Sequence, residues 1–377
     1  MNNESGVSVY GGFDELPADW DAFFAKMAQR SWFLGRSWFE TLAATTLEAG
    51  TRLRLYALAD PAPRALLPAL CPAGQNGSML SDRLLGPRTL AGLTNFQTVH
   101  FSPLLADPLD ADAMHRLART LAAQSPRWHL IDLNVLPREA TEFALTHRAL
   151  RAAGFAVRPY FYAGNAYETI GDRSFEEYLR ERPSMLRSTL KRKGNKLART
   201  SRVRFELVHS EDRLTEGTAW YEQVLATSWK KREHFPDFTR SFLTGAMRGG
   251  ALRLGVLLVD DKPAAAQAWL VSGGRATIFK LHYDEHFAQQ SVGSLLTARL
   301  MEHVIDVDHV DEVDFGTHDD DYKARWLCQR RELWGIAAFD PRTLGGATAL
   351  LRHAGRSART RAAGFLSRAA RRVLKKS

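Results

Sequence analysis

A paired pattern constrains this chain more than any other feature. Leu53–Ala59 and Ala65–Leu70 are apolar, strand-forming runs on either side of Asp60–Arg64, a turn by its two prolines and its aspartate. About 200 residues later the order returns, with Leu252–Val259 and Ala264–Leu270 flanking Asp260–Pro263. Both copies open on Leu-Arg-Leu. Each follows an aromatic-rich helical pattern, from Ser37-Trp-Phe39 in the first and over Phe238–Met247 in the second. Agreement in spacing, order and flanking helices predicts a duplicated α/β unit.

At 377 residues the chain exceeds what one core usually serves, which favours two domains. Between the copies, Asp110–Gln124 reads as a capped helix, His129–Val135 as a strand and Glu139–Ala153 as a helix. Phe155–Phe161 and Ala166–Ile170 are two extended candidates. A boundary near residue 165 then gives domains 1–165 and 166–340, followed by a tail over 341–377. Helices alternating with strands argue for an α/β fold with at least one sheet face covered.

Composition narrows the setting. No run of 18 apolar residues is present, and the first residues lack the basic and apolar regions of a secretion signal. Cys71 and Cys328 are too few for a disulfide framework or a four-cysteine zinc site. The expectation is a reduced, cytoplasmic protein. Its net charge of +9 is unevenly spread. The segment from residue 341 carries +10 and Arg180–Arg204 carries +9, which leaves −10 for everything else. The body is acidic and carries two basic segments.

Chemistry concentrates between Arg275 and Phe339. Ala276–Tyr283 is a strand by its β-branched and aromatic content, residues 284–292 are polar, and Gly293 opens an amphipathic helix through Leu296, Leu300 and Val304. Asp311–Phe315 reads as a short strand. A strand, a loop and a helix start bring unpaired backbone N–H groups to one point, which suits phosphate or pyrophosphate. Asp314-Phe-Gly316 matches the metal-binding triplet of kinases, but no glycine-rich loop or His-Arg-Asp loop precedes it. His318 with Asp319, Asp320 and Asp321 is a poor metal site, because consecutive residues rarely converge on one ion, so no metal is expected. Cys328 has no paired base nearby in sequence.

Gln290–Leu296 resembles a degenerate pyrophosphate loop of the GNAT acyltransferases, with Leu295 where that family prefers a small residue. Asp314–Lys323, followed by Trp326, resembles the signature of the bacterial FemAB-like acyltransferases, a group with members named for cellulose or exopolysaccharide biosynthesis. His318 stands where the signature has its second glycine, and Asp320 where it has glutamate. The likeness runs over about residues 180–340, including Arg187 and Trp229, and more loosely over 30–105 through Phe33, Trp38 and Leu66–Pro68.

The resemblance implies two tandem GNAT-like domains with mixed sheets flanked by helices, an α/β (α+β layered) fold. It implies an acyl donor, acyl-CoA, held by Gln290, Ser291, Val292, Gly293 and Ser294. In Fem-type relatives the donor is an aminoacyl-tRNA, and a lysine after an aromatic residue assists catalysis; Tyr322-Lys323 match that pair. A cation there suits the oxyanion of acyl transfer. Asp314, Asp319 and Asp320 are candidates for accepting the amine proton. Trp229, His282 and Tyr283 are candidates for contacting the acceptor, an amine on a sugar, lipid or envelope precursor. A catalytically silent scaffold is the competing reading, because Leu295 and His318 depart from the pattern.

The two basic segments invite separate readings. Ser184–Thr200 is a helix with Leu186, Leu190 and Leu197 on one face and most of its cations elsewhere, suited to edging the cleft and attracting a phosphorylated ligand. Beyond Leu350, an apolar stripe through Leu351, Phe365 and Val373 is surrounded by arginines. That is the pattern of a basic amphipathic helix lying on anionic lipid, so residues 347–377 are expected to make a peripheral contact with the inner face of a membrane. RNA, including tRNA, is the competing partner.

Overall fold

The two apolar pairs form hairpins in the computed structural model, which describes residues 6–73, 87–228, 234–318 and 321–354. β2 (Arg52–Ala59) pairs with β3 (Pro63–Cys71), and β9 (Leu252–Val259) pairs with β10 (Lys262–Ser272), both antiparallel. The second turn is confined to Asp260 and Asp261, both at positive φ, a conformation that aspartate tolerates and that matches strand twist. Lys262 and Pro263, read from sequence as turn residues, belong to β10.

Around the hairpins each half repeats one order. In the first, β1 (Val7–Tyr10), β2, β3, β4 (Thr89–Gly92) and β6 (Leu130–Pro137) lie side by side, with β5 (Leu104–Leu105) attached to β3. In the second, β8 (Val203–Val208), β9, β10, β11 (Arg275–Tyr283) and β12 (Glu312–Thr317) do the same. Among the described residues, the only parallel pairs in either set occupy matching places, β4 with β6 and β11 with β12. The duplication seen in the hairpins therefore extends through the sheet.

The halves are joined by exchange. β7 (Ala156–Thr169) follows the first half in sequence but pairs with β12 of the second, while β13 (Gln329–Phe339) follows the second half and pairs with β6 of the first. β7 and β13 also pair with each other along their length, so one 13-stranded sheet runs through the molecule. The two extended candidates at 155–161 and 166–170 are one strand, β7, because Gly164 and Asn165 between them pair with Glu332 and Arg331. Residue 165 lies inside it.

Helices cover the sheet. They are α1 (Asp19–Arg30), α2 (Arg36–Thr46), α3 (Ala111–Ala123), α4 (Thr141–Ala152), α5 (Phe175–Arg180), α6 (Ser184–Thr200), α7 (Leu214–Ala226), α8 (Phe238–Arg248), α9 (Val292–Asp306) and α10 (Asp321–Trp326). Asp110 caps α3 by accepting from the Ala113 amide, and Ser174 with Glu177 forms a capping box on α5. The equivalent helices α2 and α8 meet across the halves. Trp38 of α2 stands edge-on to Phe238 at 5.9 Å, and Trp32, in the turn just before α2, edge-on to Phe242 at 5.4 Å. Such pairs add about 0.5–1.5 kcal/mol each beyond the area they bury.

Residues 344–354 are helical and lean on β13, with Ala349 in a small cluster with Ala337 and Phe339. The rest of the predicted basic tail lies outside the described residues. Among the described residues no helix is long and apolar enough to cross a membrane.

Candidate functional site

β11 and β12 run parallel only over Arg275–Thr277 and Glu312–Asp314. Beyond that point β12 bends, and the cause is a buried polar clamp. Asp314 Oδ1 accepts from the Gly316 amide at 2.6 Å, while Asn165 Nδ2 donates to Asp314 Oδ1 at 2.6 Å and to the Gly316 carbonyl at 2.7 Å. Both backbone groups of Gly316 are thus removed from the ladder, its φ is +69°, and the pairing of β12 with β7 slips between Asp314 and Thr317. Arg331 on β13 locks the clamp. It donates from Nε to Asn165 Oδ1 at 2.6 Å, binds Asp314, and grips Glu312 at 2.8 and 3.0 Å. Burial alone would lower its pKa, but the carboxylates of Asp314 and Glu312 outweigh that and raise it.

Where the strands part, a cavity of about 740 Å³ opens. One wall is the end of β11, including Ile278, Lys280 and Tyr283; another is Phe315, Gly316 and Thr317 of β12. The floor is the start of α9. Ser291 turns the chain in the left-handed region, φ +58°, and Ser291, Val292, Gly293 and Ser294 line the cavity. The first amides of any α-helix have no intrahelical partner, so this end favours anions. Gly293 packs tightly here, since a Cβ would lie 3.3 Å from the Tyr283 ring and the ring would have to give by a few tenths of an ångström.

A second buried chain of hydrogen bonds fixes that floor to the catalytic candidates. Trp269 Nε1 donates to Gln267 Oε1, and Gln267 Nε2 donates to the Gly293 carbonyl and to Thr297 Oγ1, each at 2.9 Å. Thr297 Oγ1 in turn shares a 3.0 Å hydrogen bond with the Tyr322 hydroxyl. Tyr322 and Lys323 both line the cavity. Lys323 Nζ donates to the carbonyls of Thr317 at 2.5 Å and His318 at 3.0 Å, which ties α10 to the end of β12.

The remaining wall comes from the first half. The connection between β4 and β5 brings Phe96, Gln97 and Val99 to the cavity, with Val99 packed at Gly316. His100, next along this connection, is held neutral, with its pKa lowered to about 3 by burial and then by the charges of Arg275 and Arg331.

The structure therefore gathers Ser291, Val292, Gly293, Ser294, Tyr283, Tyr322 and Lys323 around one space. Gln290 precedes the lining residues, and its Oε1 is buried without a partner. Asp314 is buried, off the lining, and engaged by Asn165, Gly316 and Arg331. His282 is buried away from the cavity lining, its ring edge-on to Tyr221 at 5.3 Å. Trp229, Asp319 and Asp320 lie outside the described residues. The sequence reading passed over Asn165, Arg331, Gln267, Thr297 and the Phe96–Val99 stretch. Gln267 was detectable as the one polar residue in the apolar run Ala264–Leu270; the others depend on contacts between distant segments.

Residues 184–324 match the family model described as an acetyltransferase (GNAT) domain. No curated protein matches the chain. Among solved structures, FemX superposes with a TM-score of 0.59 at 11% identity, covering 87% of this chain and 96% of that one. L-PGS from Bacillus licheniformis gives 0.54 at 13% identity, covering 92% and 98%. A conserved protein of unknown function from Bacteroides thetaiotaomicron VPI-5482 gives 0.54 at 11%, covering 85% and 95%. At such identities the likeness is one of fold. Residues 184–324 thus match a GNAT acetyltransferase domain, and the chain as a whole, in its strand order, shares the fold of FemX.

Proposed function

We infer that the protein transfers an acyl group from acyl-CoA to an amine on a sugar, lipid or cell-envelope precursor. The observation that carries this reading is the clamp-opened gap between β11 and β12, closed at its base by the start of α9. The freed edge of β11 offers strand hydrogen bonds to the amides of an extended donor arm. The amides of Val292, Gly293 and Ser294 suit its pyrophosphate. A neutral amine attacks the thioester carbonyl carbon; the C–N bond forms, the C–S bond breaks, the nitrogen gives up a proton and the departing sulfur gains one. In this reading Lys323 balances the oxyanion and the Tyr322 hydroxyl protonates the sulfur; both line the cavity.

A second reading exchanges the donor for an aminoacyl-tRNA. It is favoured by α6, where Lys193 Nζ donates to the Gln289 carbonyl beside the donor loop at 2.5 Å. Isothermal titration with CoA and with short and long acyl-CoAs separates the two. Binding of CoA supports the first reading; its absence, with nucleic acid bound in low salt, supports the second. In the first case Lys323→Ala should lower turnover by about 10²–10³ while leaving CoA affinity within a few-fold of wild type. A variant that keeps more than half of its activity would remove Lys323 from the mechanism.

A further inference from the structure

Among the described residues the duplicated fold contains two strand gaps, of which one is open and the other filled. In the first half, β4 and β6 pair in parallel over Thr89–Ala91 and Leu130–Asp132, the counterpart of the donor gap. There the space is filled by the protein's own chain. Phe101 is fully buried, its amide donates to the Val135 carbonyl at 3.1 Å, and its ring lies 2.9 Å from where a Cβ on Gly92 would be. Among the described residues, the first half therefore offers no matching donor site.

The same connection reaches the working cavity instead. Its tip is a built turn: the Asn95 amide donates to Thr98 Oγ1, the Gln97 amide to Asn95 Oδ1, and the Thr98 amide to the Asn95 carbonyl, all at 2.9–3.0 Å. A turn held this way presents its side chains in fixed positions. Phe96 is 62% exposed yet stacked on Phe235 at 5.8 Å, with the His234 ring edge-on to both. Gln97 beside it is only 9% exposed, and its Oε1 has no hydrogen-bond partner. A buried amide oxygen without a partner is uncommon in a folded protein, and Gln97 is also one of the residues that line the cavity.

We propose that the turn at Asn95–Thr98 is the acceptor-selecting element, and that it recognises an amine carried on a hydroxylated saturated ring, an amino sugar. This rests on the acyl-CoA reading above. An exposed aromatic face matches the C–H face of such a ring, and the amide of Gln97 supplies the polar contact that a ring hydroxyl or amine completes. A flexible aliphatic amine has no flat face to set against Phe96 and forfeits that contact.

The test uses the full chain saturated with CoA, and glucosamine and lysine methyl ester as probes in saturation-transfer NMR. Wild type should transfer saturation to the ring protons of glucosamine and weakly, if at all, to the lysine ester. Phe96→Ala and Gln97→Leu should each reduce the glucosamine signal at least five-fold, with CoA affinity unchanged by calorimetry. Gln97→Leu should melt no lower than wild type, because it removes an unpartnered buried oxygen, so loss of signal is not loss of fold. Failure of CoA to bind at all would sink the donor reading rather than this one. With CoA bound, no glucosamine signal in wild type, an equal signal in both variants, or a preference for the lysine ester would each overturn the proposal.

Discussion

Asn165 shows how one amide can set the shape of a site it does not line. It donates to Asp314 and to the Gly316 carbonyl while accepting from Arg331, so three strands depend on it. Asn165→Ala leaves those buried groups short of partners and should cost about 2–3 kcal/mol in urea unfolding. The same change should let β12 relax toward β11, so CoA affinity should fall ten-fold or more by calorimetry, equivalent to about 1.4 kcal/mol. An unchanged affinity alongside the lost stability would make the clamp a structural device only. From sequence, Asp314 is a carboxylate in a family-like signature and reads as a proton acceptor. The structure gives its oxygens to Gly316, Asn165 and Arg331, and that occupation is invisible until β7, β12 and β13 are brought together.

At the scale of elements, locally encoded pieces were the legible ones. α6 over Ser184–Thr200 and β9 over Leu252–Val259 match their predicted bounds, because helix and strand periods are written in consecutive side chains. The stretch 329–339 carried no prediction. It opens Gln-Arg-Arg-Glu, and the two strands that hold it, β6 and β7, lie far away in sequence. The connection from β4 to β5 was equally silent, although it fills one gap and walls the other. Its His100 makes that packing sensitive to acid. In the folded chain its pKa is about 3, against 6.5 when free. Between those values the unfolded chain binds a proton that the folded chain refuses, so stability is full above pH 6.5 and falls as the pH drops toward 3. The slope is about 1.4 kcal/mol per pH unit. On going from pH 7 to pH 5, His100→Gln should therefore lose roughly 2 kcal/mol less stability than wild type in urea titrations. Parallel losses in the two proteins would show that His100 titrates freely.

For the molecule as a whole, the sequence pattern revealed two copies of a unit but not how they are sewn together. Hairpin spacing reports duplication, whereas strand exchange is a choice between equivalent partners that local residues do not encode. β7 could complete either half by length and pattern, and only the pairings place it against β12 with β13 against β6. The exchange predicts that the halves fold as one. Ending the chain at Leu327 removes β13, and with it the buried side chains Leu333, Ile336 and Phe339. At about 1.5–3 kcal/mol each, these alone contribute roughly 5–9 kcal/mol. Typical domains are stable by about 5–15 kcal/mol in total. β6 would lose its partner on that side and β7 one of its two, so the damage reaches both halves. The shortened chain should lack a cooperative melt by circular dichroism and should not bind CoA, although β7 through β12 and the whole donor loop are still present. A chain ending at Ala354 should melt in one transition, with amides of β6 and β12 exchanging hydrogen at similar global rates. If the chain ending at Leu327 instead keeps protected amides in β9–β12 and binds CoA, the second half is an independent domain and the exchanged strand is only an adornment of the first.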